Sequence, residues 1–345
     1  MTRCPLDAWI EARTGVSGPD PAALRRWQIE SLFKIAEWAR AQSPLYAARL
    51  AGVNLSSRDS AALPFTTPDD LRGRAHDLLC VSQDEVERVV TLTTSGTTGS
   101  SKRIFLTGHD LESTLDFFRR GMATFTGPGD AVLVLLPGRR DDCAAVLLAR
   151  ALEEIGVRAV LSPWPCPPYE ALRLAVREGV TCLAALPSQL AALLAECPGG
   201  GIARVDRALT SGEPVSDSLR LAAARAGIEV YAHYGLTETG FGGGVECQAH
   251  SGYHLREADI LVEIVDPFTG APLLPGADGE VVLSTLSRVG MPLLRYRTGD
   301  LSRMLPGPCP CGSPLPRLGP VTGRIVRSSG HIRIQTPTKG TAQAS

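Results

Sequence analysis

Asp130-Ala-Val-Leu-Val-Leu-Leu136 opens a hundred residues in which short apolar runs alternate with helical stretches. Ala131–Leu136, Arg158–Leu161, Thr181–Ala185 and Arg207–Thr210 read as strands. Asp142–Ile155, Tyr169–Arg177, Pro187–Ala195 and Ser216–Ala226 read as helices that alternate with them. Such alternation means crossover units and a mostly parallel sheet flanked by helices, an α/β fold. Upstream, Asp20 can cap a helix that starts at Pro21, and Leu24, Trp27, Leu32, Ile35 and Trp38 recur at helical spacing. After Gly252 the character changes. Asp259–Val265, Glu280–Ser284 and Leu293–Tyr296 are strand-like runs separated by the turn-rich Asp266-Pro-Phe-Thr-Gly270 and Pro275-Gly-Ala-Asp-Gly279. They predict an antiparallel, β-rich subdomain appended to the α/β part.

Composition narrows the function classes. The 345 residues carry 35 Lys+Arg against 36 Asp+Glu, a net charge of −1 that gives no electrostatic case for nucleic acid or an anionic membrane as partner. With 44% hydrophobic and 21% charged residues the chain has the makings of a globular core. Met1–Ile10 contains Asp7 and no apolar stretch, unlike a signal peptide, and runs such as Ala131–Leu136 are far too short to span a bilayer. Nine scattered cysteines, an odd number, point to a reducing compartment, and the cytoplasm is the expected location. Lys34, Lys102 and Lys339 are the only lysines, so any chemistry that needs one has three candidates.

Four stretches carry chemistry. Thr93-Thr-Ser-Gly-Thr-Thr-Gly-Ser-Ser-Lys102 packs five hydroxyls and two glycines into Thr93–Gly99 and ends on a lysine. Glycines let backbone N–H groups approach an anion, hydroxyls add uncharged donors, and Lys102 adds the cation, a set suited to a polyphosphate. The spacing is not that of the G-x-x-x-x-G-K-[ST] phosphate loop. Tyr231-Ala-His-Tyr-Gly-Leu-Thr-Glu-Thr-Gly240 follows an expected strand, where α/β proteins place binding loops, and Glu238 offers Mg²⁺ a hard oxygen ligand. In Leu294-Arg-Tyr-Arg-Thr-Gly-Asp300 the Asp after a Gly turn can accept from two ribose hydroxyls. Ser211-Gly-Glu213 is another strand-end turn. Taken singly, a flexible hairpin tip, a solvated turn Glu and a β-turn Asp are the plainer readings.

In order, the four stretches resemble the adenylate-forming superfamily of acyl-CoA ligases, adenylation domains and luciferases. Within it the chain is similar to phenylacetate-CoA ligase-like proteins, through Gly243-Gly-Val-Glu-Cys247, Gly252-Tyr-His254, the Asp266-Pro…Thr269-Gly turn, Met291-Pro-Leu-Leu-Arg-Tyr-Arg-Thr-Gly-Asp300 and Cys309-Pro-Cys-Gly312. The resemblance runs from about Pro5 to Arg324. It implies a large N-terminal domain that binds ATP·Mg²⁺, activates a small carboxylic acid, aryl or otherwise, and uses CoA as co-substrate. Thr94, Ser95, Gly96, Thr97, Thr98, Gly99 and Lys102 would wrap the β- and γ-phosphates. Gly212 and Glu213 would border adenine, Tyr234 would stack on it and Gly235 would pack close. Thr237 and Glu238 would hold the α-phosphate and Mg²⁺, Asp300 and Arg324 the ribose hydroxyls, and His233 would sit near the acyl carboxylate. Lys102, His233, Thr237 and Glu238 form the implied catalytic set.

A structural zinc site is a separate expectation. Cys247, Cys309 and Cys311 with His254 make a closed set of three thiolates and one imidazole, and the C-x-C-G spacing puts two sulfurs on one ion. His254 suits the fourth position because Gly252 and Tyr253 lead into a strand; His250 is the alternative, and four unrelated reduced side chains are the plain one. Cys4, Cys80, Cys143, Cys166, Cys182 and Cys197 lie among apolar neighbours and read as packing.

The pattern breaks at its end. In the superfamily a Gly-Arg such as Gly323-Arg324 leads to an acidic hinge and a mobile C-terminal domain of roughly a hundred residues. Here 21 residues follow Arg324, Ile325 and Val326 stand where the hinge acid belongs, and Lys339 lies in a small, polar tail. The expected organisation is an adenylate-forming domain over 1–324, with its β-rich part at about 252–322, and a hinge remnant with a disordered tail over 325–345. Three functions follow: an acid:CoA ligase-like enzyme whose thioester step is weak or aided by a second chain; a nucleotidyltransferase stopping at an adenylylated product; or a non-catalytic ATP- or acyl-adenylate-binding regulatory subunit. A homodimer is compatible with all three.

Overall fold

The computed structural model describes residues 4–18, 20–92, 101–138, 143–198, 200–328 and 331–335. Helices α1 (Pro5–Thr14), α2 (Pro21–Gln42), α3 (Pro44–Arg49) and α4 (Pro68–Gly73) come first. Each begins on proline, whose fixed φ suits the first turn. Asp20 caps α2 by accepting from the Ala22 N–H, as expected. Strands β1 (Val86–Leu92) and β2 (Lys102–Thr107) then pair antiparallel and lead into α5 (Gly108–Met122), where Thr107 and Asp110 form a capping box.

The α/β region follows in chain order as β3 (Ala131–Val134), α6 (Ala144–Glu154), β4 (Arg158–Leu161), α7 (Pro168–Arg177), β5 (Cys182–Ala185), α8 (Pro187–Ala195), β6 (Arg207–Ser211), α9 (Asp217–Arg225) and β7 (Glu229–Tyr234). Every strand and helix read from the alternation is present, with ends shifted by at most two residues. The parallel strands lie in the order β7-β6-β5-β3-β4. Burial explains their composition. Interior strands β3 and β5 are buried at every residue, whereas β4, at the sheet edge, buries only Val160 fully.

The sheet is mixed rather than parallel throughout. Beyond β7 it continues antiparallel through β8 (Gly244–Glu246) and β9 (Tyr253–Leu255). A second, five-stranded antiparallel sheet uses β10 (Ile260–Val265), β11 (Gly279–Thr285) and β12 (Tyr296–Ser302). Short strands β13 (Met304–Leu305) and β14 (Arg317–Leu318) return to the large sheet, so the region after Gly252 serves both sheets and is not one appended subdomain. The expected strand Leu293–Tyr296 is displaced to Tyr296–Ser302. Leu293 and Leu294 are apolar because they fill the core, and Arg295 takes a left-handed φ of 45° that breaks the chain's extension before Tyr296.

The stretch expected as a hinge remnant also differs. β15 (Gly323–Ser328) and β16 (His331–Gln335) form a strand pair at the edge of the second sheet, with Ile325 opposite Ile334. Residues 336–345, read as a disordered tail, lie outside the described residues. Among the described residues no helix is long and apolar enough to cross a membrane.

Candidate active site

The site forms where β6 and β7 end. These neighbouring parallel strands put Ser211 opposite His233, and the chain then turns sharply at Gly212 and Gly235. In a sheet of this kind ligands bind beyond the carboxyl ends of the strands. Gly212 has φ 85°, a conformation open to glycine. Gly235 is fixed by space: a Cβ there would lie 2.4 Å from the Phe241 carbonyl oxygen and 2.5 Å from His233 Cε1. The loop's return path therefore requires glycine before any ligand is considered.

Thr237–Thr239 form one 3₁₀ turn, closed by Gly240 at φ 75°. Glu238 is 4% exposed, and its Oε1 accepts from Lys102 Nζ at 2.5 Å and from the Tyr296 hydroxyl at 2.8 Å. Burial alone would raise this carboxyl; the Lys102 charge and hydrogen bond, with the Tyr296 hydroxyl, outweigh it and hold Glu238 below its ordinary value. Lys102, expected on phosphate, and Glu238, expected on metal, are thus each other's partners. Thr94, Ser95, Gly96, Thr97, Thr98 and Gly99 lie outside the described residues; Lys102, at the start of β2, reaches Glu238.

On the other side, Asp300 accepts from the Tyr234 hydroxyl at 3.0 Å and pairs with Arg324, its neighbour across β12 and β15. Desolvation raises the Asp300 carboxyl, and Arg324 offsets only part of it. Asp300 does not follow a loop turn. Gly299 sits inside β12 at φ 78°, where the register with β11 shifts, so a bulge aims the carboxylate. Tyr234 is buried against Tyr253, with ring centroids 6.0 Å apart, and its hydroxyl is committed to Asp300. The carboxylate of Glu213, the residue expected to border adenine, accepts from Ser188 N and Oγ, both at 2.9 Å, and so caps α8.

Between α5 and the ends of β6 and β7 lies a cavity of about 480 Å³. Phe117, Phe118, Met122, Leu148, Leu209 and Val245 give it an apolar wall, and Gly212, Gly235 and Thr237 also line it. His233 is on the same wall, hydrogen-bonded through Nδ1 to Ser211 Oγ at 2.9 Å and flanked by the rings of Phe117 and Phe118. Burial pushes its imidazole down to about 4. The sign for stability follows. An unfolded His233 binds a proton near pH 6.5 that the folded one refuses until about pH 4, so stability falls as pH drops through that window. A His233→Leu variant should lose less stability than wild type between pH 6.5 and 4, read from denaturant midpoints; parallel loss would refute the burial argument.

Cys247, His254, Cys309 and Cys311 come together as one buried group whose ligand atoms all lie within 4.8 Å of one another. Cys247 Sγ is 3.7 Å from Cys309 Sγ, and Cys311 Sγ is 3.6 Å from His254 Nε2. His250 is turned elsewhere, to Glu229 at 2.8 Å and Glu246 at 3.5 Å. Cys166 and Cys197 are only half-buried, unlike the other cysteines expected in packing.

Sequence reasoning assigned no role to Tyr296, Ser211 or Arg288. Tyr296 stood inside a quoted motif, but its hydroxyl reaches Glu238 across 58 residues of chain. No local spacing announces that contact.

The ends of these strands thus carry two paired carboxylates, Glu238 with Lys102 and Asp300 with Arg324, near an apolar cavity. Residues 47–287 match the family model described as AMP-binding enzyme. The chain is 31% identical over 330 residues to the phenylacetate-coenzyme A ligase of Pseudomonas putida, covering 88% of this chain and 71% of that protein. It is equally identical over 320 residues to the phenylacetate-coenzyme A ligase of Thermus thermophilus, covering 87% and 70%. Its fold is like that of a 2-hydroxyisobutyryl-CoA ligase solved in an open conformation with 2-HIB-AMP and CoA, at a TM-score of 0.77 and 21% identity over 91% of this chain and 79% of that one. The chain belongs to the AMP-binding enzyme family and is an enzyme of the ligase kind.

Proposed function

We propose that these residues activate a carboxylic acid with ATP to an acyl-adenylate and pyrophosphate, as the first half of an acid–CoA ligase reaction. The observation that carries this is the pairing of Glu238 with Lys102 at one side of the cleft and of Asp300 with Arg324 at the other, with the apolar cavity opening beside them. One substrate carboxylate oxygen attacks the α-phosphorus, the bond from that phosphorus to the bridging oxygen breaks, and pyrophosphate leaves with the electron pair. Charge neutralisation and alignment are the protein's contribution. Lys102 and Thr237 supply donors to the phosphates. Asp300 has lone pairs left beyond Tyr234 and Arg324 to accept from ribose hydroxyls. Glu238, an ionised hard-oxygen donor at the cleft, fits Mg²⁺ and would hold it, and Mg²⁺ would neutralise charge on the phosphates.

The cavity's phenylalanines and leucines suit an acid with an apolar body, and the curated relatives named for phenylacetate make an aryl acid the leading substrate. CoA is the acceptor we assign to the adenylate. Thioester formation by these residues alone is expected to lag adenylation, because each site residue assigned above serves nucleotide or acid and none aligns a thiol. A second chain that supplies this alignment should raise the second rate far more than ATP affinity.

Pyrophosphate exchange over a panel of aryl and small aliphatic acids tests the reading. Acid-dependent exchange with phenylacetate or a close analogue is expected, followed by slower CoA-dependent AMP release. ATP binding with no exchange for any acid would leave a non-catalytic binder. Asp300→Ala should weaken ATP binding by about 1.5–3 kcal/mol, the scale of hydrogen bonds to a charged group. Equal calorimetric affinity in wild type and variant would remove the ribose assignment.

We also propose that Cys247, His254, Cys309 and Cys311 hold a structural zinc ion. Tetrahedral zinc with bonds of about 2.3 Å to sulfur and 2.0–2.1 Å to nitrogen puts its ligand atoms roughly 3.5–3.8 Å apart, and the 3.7 and 3.6 Å separations agree with that. Burial pushes the Cys247 thiol up to about 12 and the His254 imidazole down to about 4. A buried divalent cation turns such thiols into thiolates and uses the imidazole in its neutral form.

A further inference from the structure

We propose that Arg288 is a positioning residue for the turn that carries Glu238, an inference that rests on the adenylation reading of that turn. Glu238 lies in a 3₁₀ turn of three residues, which has too few internal hydrogen bonds to fix its own orientation. Two of its carbonyls are instead held from outside. Arg288 Nη1 donates to the Glu238 carbonyl oxygen at 2.6 Å, and Thr114 Oγ1 shares its one proton between the Gly240 carbonyl oxygen at 2.9 Å and the Asp110 carbonyl oxygen at 3.0 Å.

Arg288 is 5% exposed, and a guanidinium is buried only where its charge and donors find partners. Its Nε lies 3.6 Å from Asp110 Oδ1. Asp110 is itself fixed at the start of α5, accepting from Thr107 N at 2.9 Å and Thr107 Oγ1 at 3.0 Å. The guanidinium thus ties the Glu238 backbone to the capping box of α5, and Thr114, one turn further along the same helix, adds the second tie. Later in α5, Phe117, Phe118 and Met122 line the cavity. One helix therefore sets both the cavity wall and the height of the Glu238 carboxylate above it. The planar fork of arginine can serve a carbonyl and a carboxylate at once, whereas one ammonium on a shorter reach serves them poorly.

The test separates aim from fold. Calorimetric binding of ATP is measured with Mg²⁺ present and with Mg²⁺ omitted, beside the melting temperature, for wild type, Arg288→Lys and Arg288→Met. Loss of a charged hydrogen bond predicts that Arg288→Met binds MgATP about 10- to 100-fold more weakly. Metal-free ATP should lose less than MgATP does, since Asp300 and Arg324 are untouched and only Thr237 and Lys102, which share the turn and its carboxylate, shift with it. Arg288→Lys should recover most of the melting temperature and only part of the metal-dependent affinity. Should Arg288→Met fail to fold, Thr114→Val removes the second tie without removing a charge and should show the same metal-dependent loss. Equal losses with and without Mg²⁺, or no loss in any variant, would overturn the proposal. Absence of pyrophosphate exchange in wild type would instead overturn the adenylation reading, and binding data that still split by Mg²⁺ would leave Arg288's role standing.

Discussion

Protein purified without added metal is expected to contain about one zinc per chain, and Cys311→Ser should lose it together with part of the protein's thermal stability. Cys311 lies 3.6 Å from His254 Nε2, and all four ligand atoms lie inside one 4.8 Å group. The four residues reach that group from three places: the end of β8, strand β9, and the loop between β13 and β14. An ion there would join segments that short strands alone hold weakly, since β8 and β9 have three residues each and β13 and β14 two each. Removing one partner from a buried charged group costs about 3–5 kcal/mol. At about 1.4 °C per kcal/mol, from roughly 2.1 cal/mol/K of unfolding entropy per residue over a chain this long, the melting temperature should fall by roughly 4–7 °C. His250→Ala should keep its zinc, because that imidazole is spent on Glu229 and Glu246. Metal analysis beside thermal melts decides the matter. A zinc-free protein whose melting temperature does not move on chelation would leave four reduced side chains and no metal site.

How much of this was legible in the sequence depended on range. Arg158–Leu161 and Pro187–Ala195 stand in the structure at the bounds read from the sequence, because apolar runs and a first-turn proline are local signals. The shorter β8 and β9 lie in a glycine-rich stretch with no period to read, so the antiparallel extension of the large sheet stayed hidden. Leu293 and Leu294 misled because an apolar pair filling a core looks like an apolar pair in a strand. The Cys/His cluster was legible because C-x-C-G is a short spacing, and the preference for His254 over His250 followed from the strand that Gly252 and Tyr253 begin; His254 sits in β9 beside the three cysteines. The role of the Glu213 carboxylate as the cap of a helix that starts 26 residues upstream, at Pro187, has no local signal. The pairing of Lys102 with Glu238 spans 136 residues and depends on how β2 and the loop after β7 are packed, which no motif encodes.

That pairing sets the second large expectation. Lys102→Met and Glu238→Gln should each lower the rate of adenylate formation by about 10²–10³, the cost of removing one preorganised charged group from a site of developing charge. If the two act as a unit, the double variant should be little worse than either single one. Lys102 Nζ stands 2.5 Å from the carboxylate assigned to Mg²⁺, so the cation that keeps Glu238 ionised is also the one assigned to the phosphates. The pH profile then separates the roles. In wild type Glu238 is held below its ordinary value, so its protonation costs activity at a lower pH than it would for an ordinary carboxyl. In Lys102→Met burial loses the cation that chiefly opposes it, so the acid limb should move to higher pH. Glu238→Gln has no carboxyl to titrate and should lose that limb. Measured by pyrophosphate exchange, a Lys102→Met enzyme that keeps more than a tenth of wild-type activity with an unmoved acid limb would show that Lys102 neither tunes Glu238 nor carries the phosphate charge.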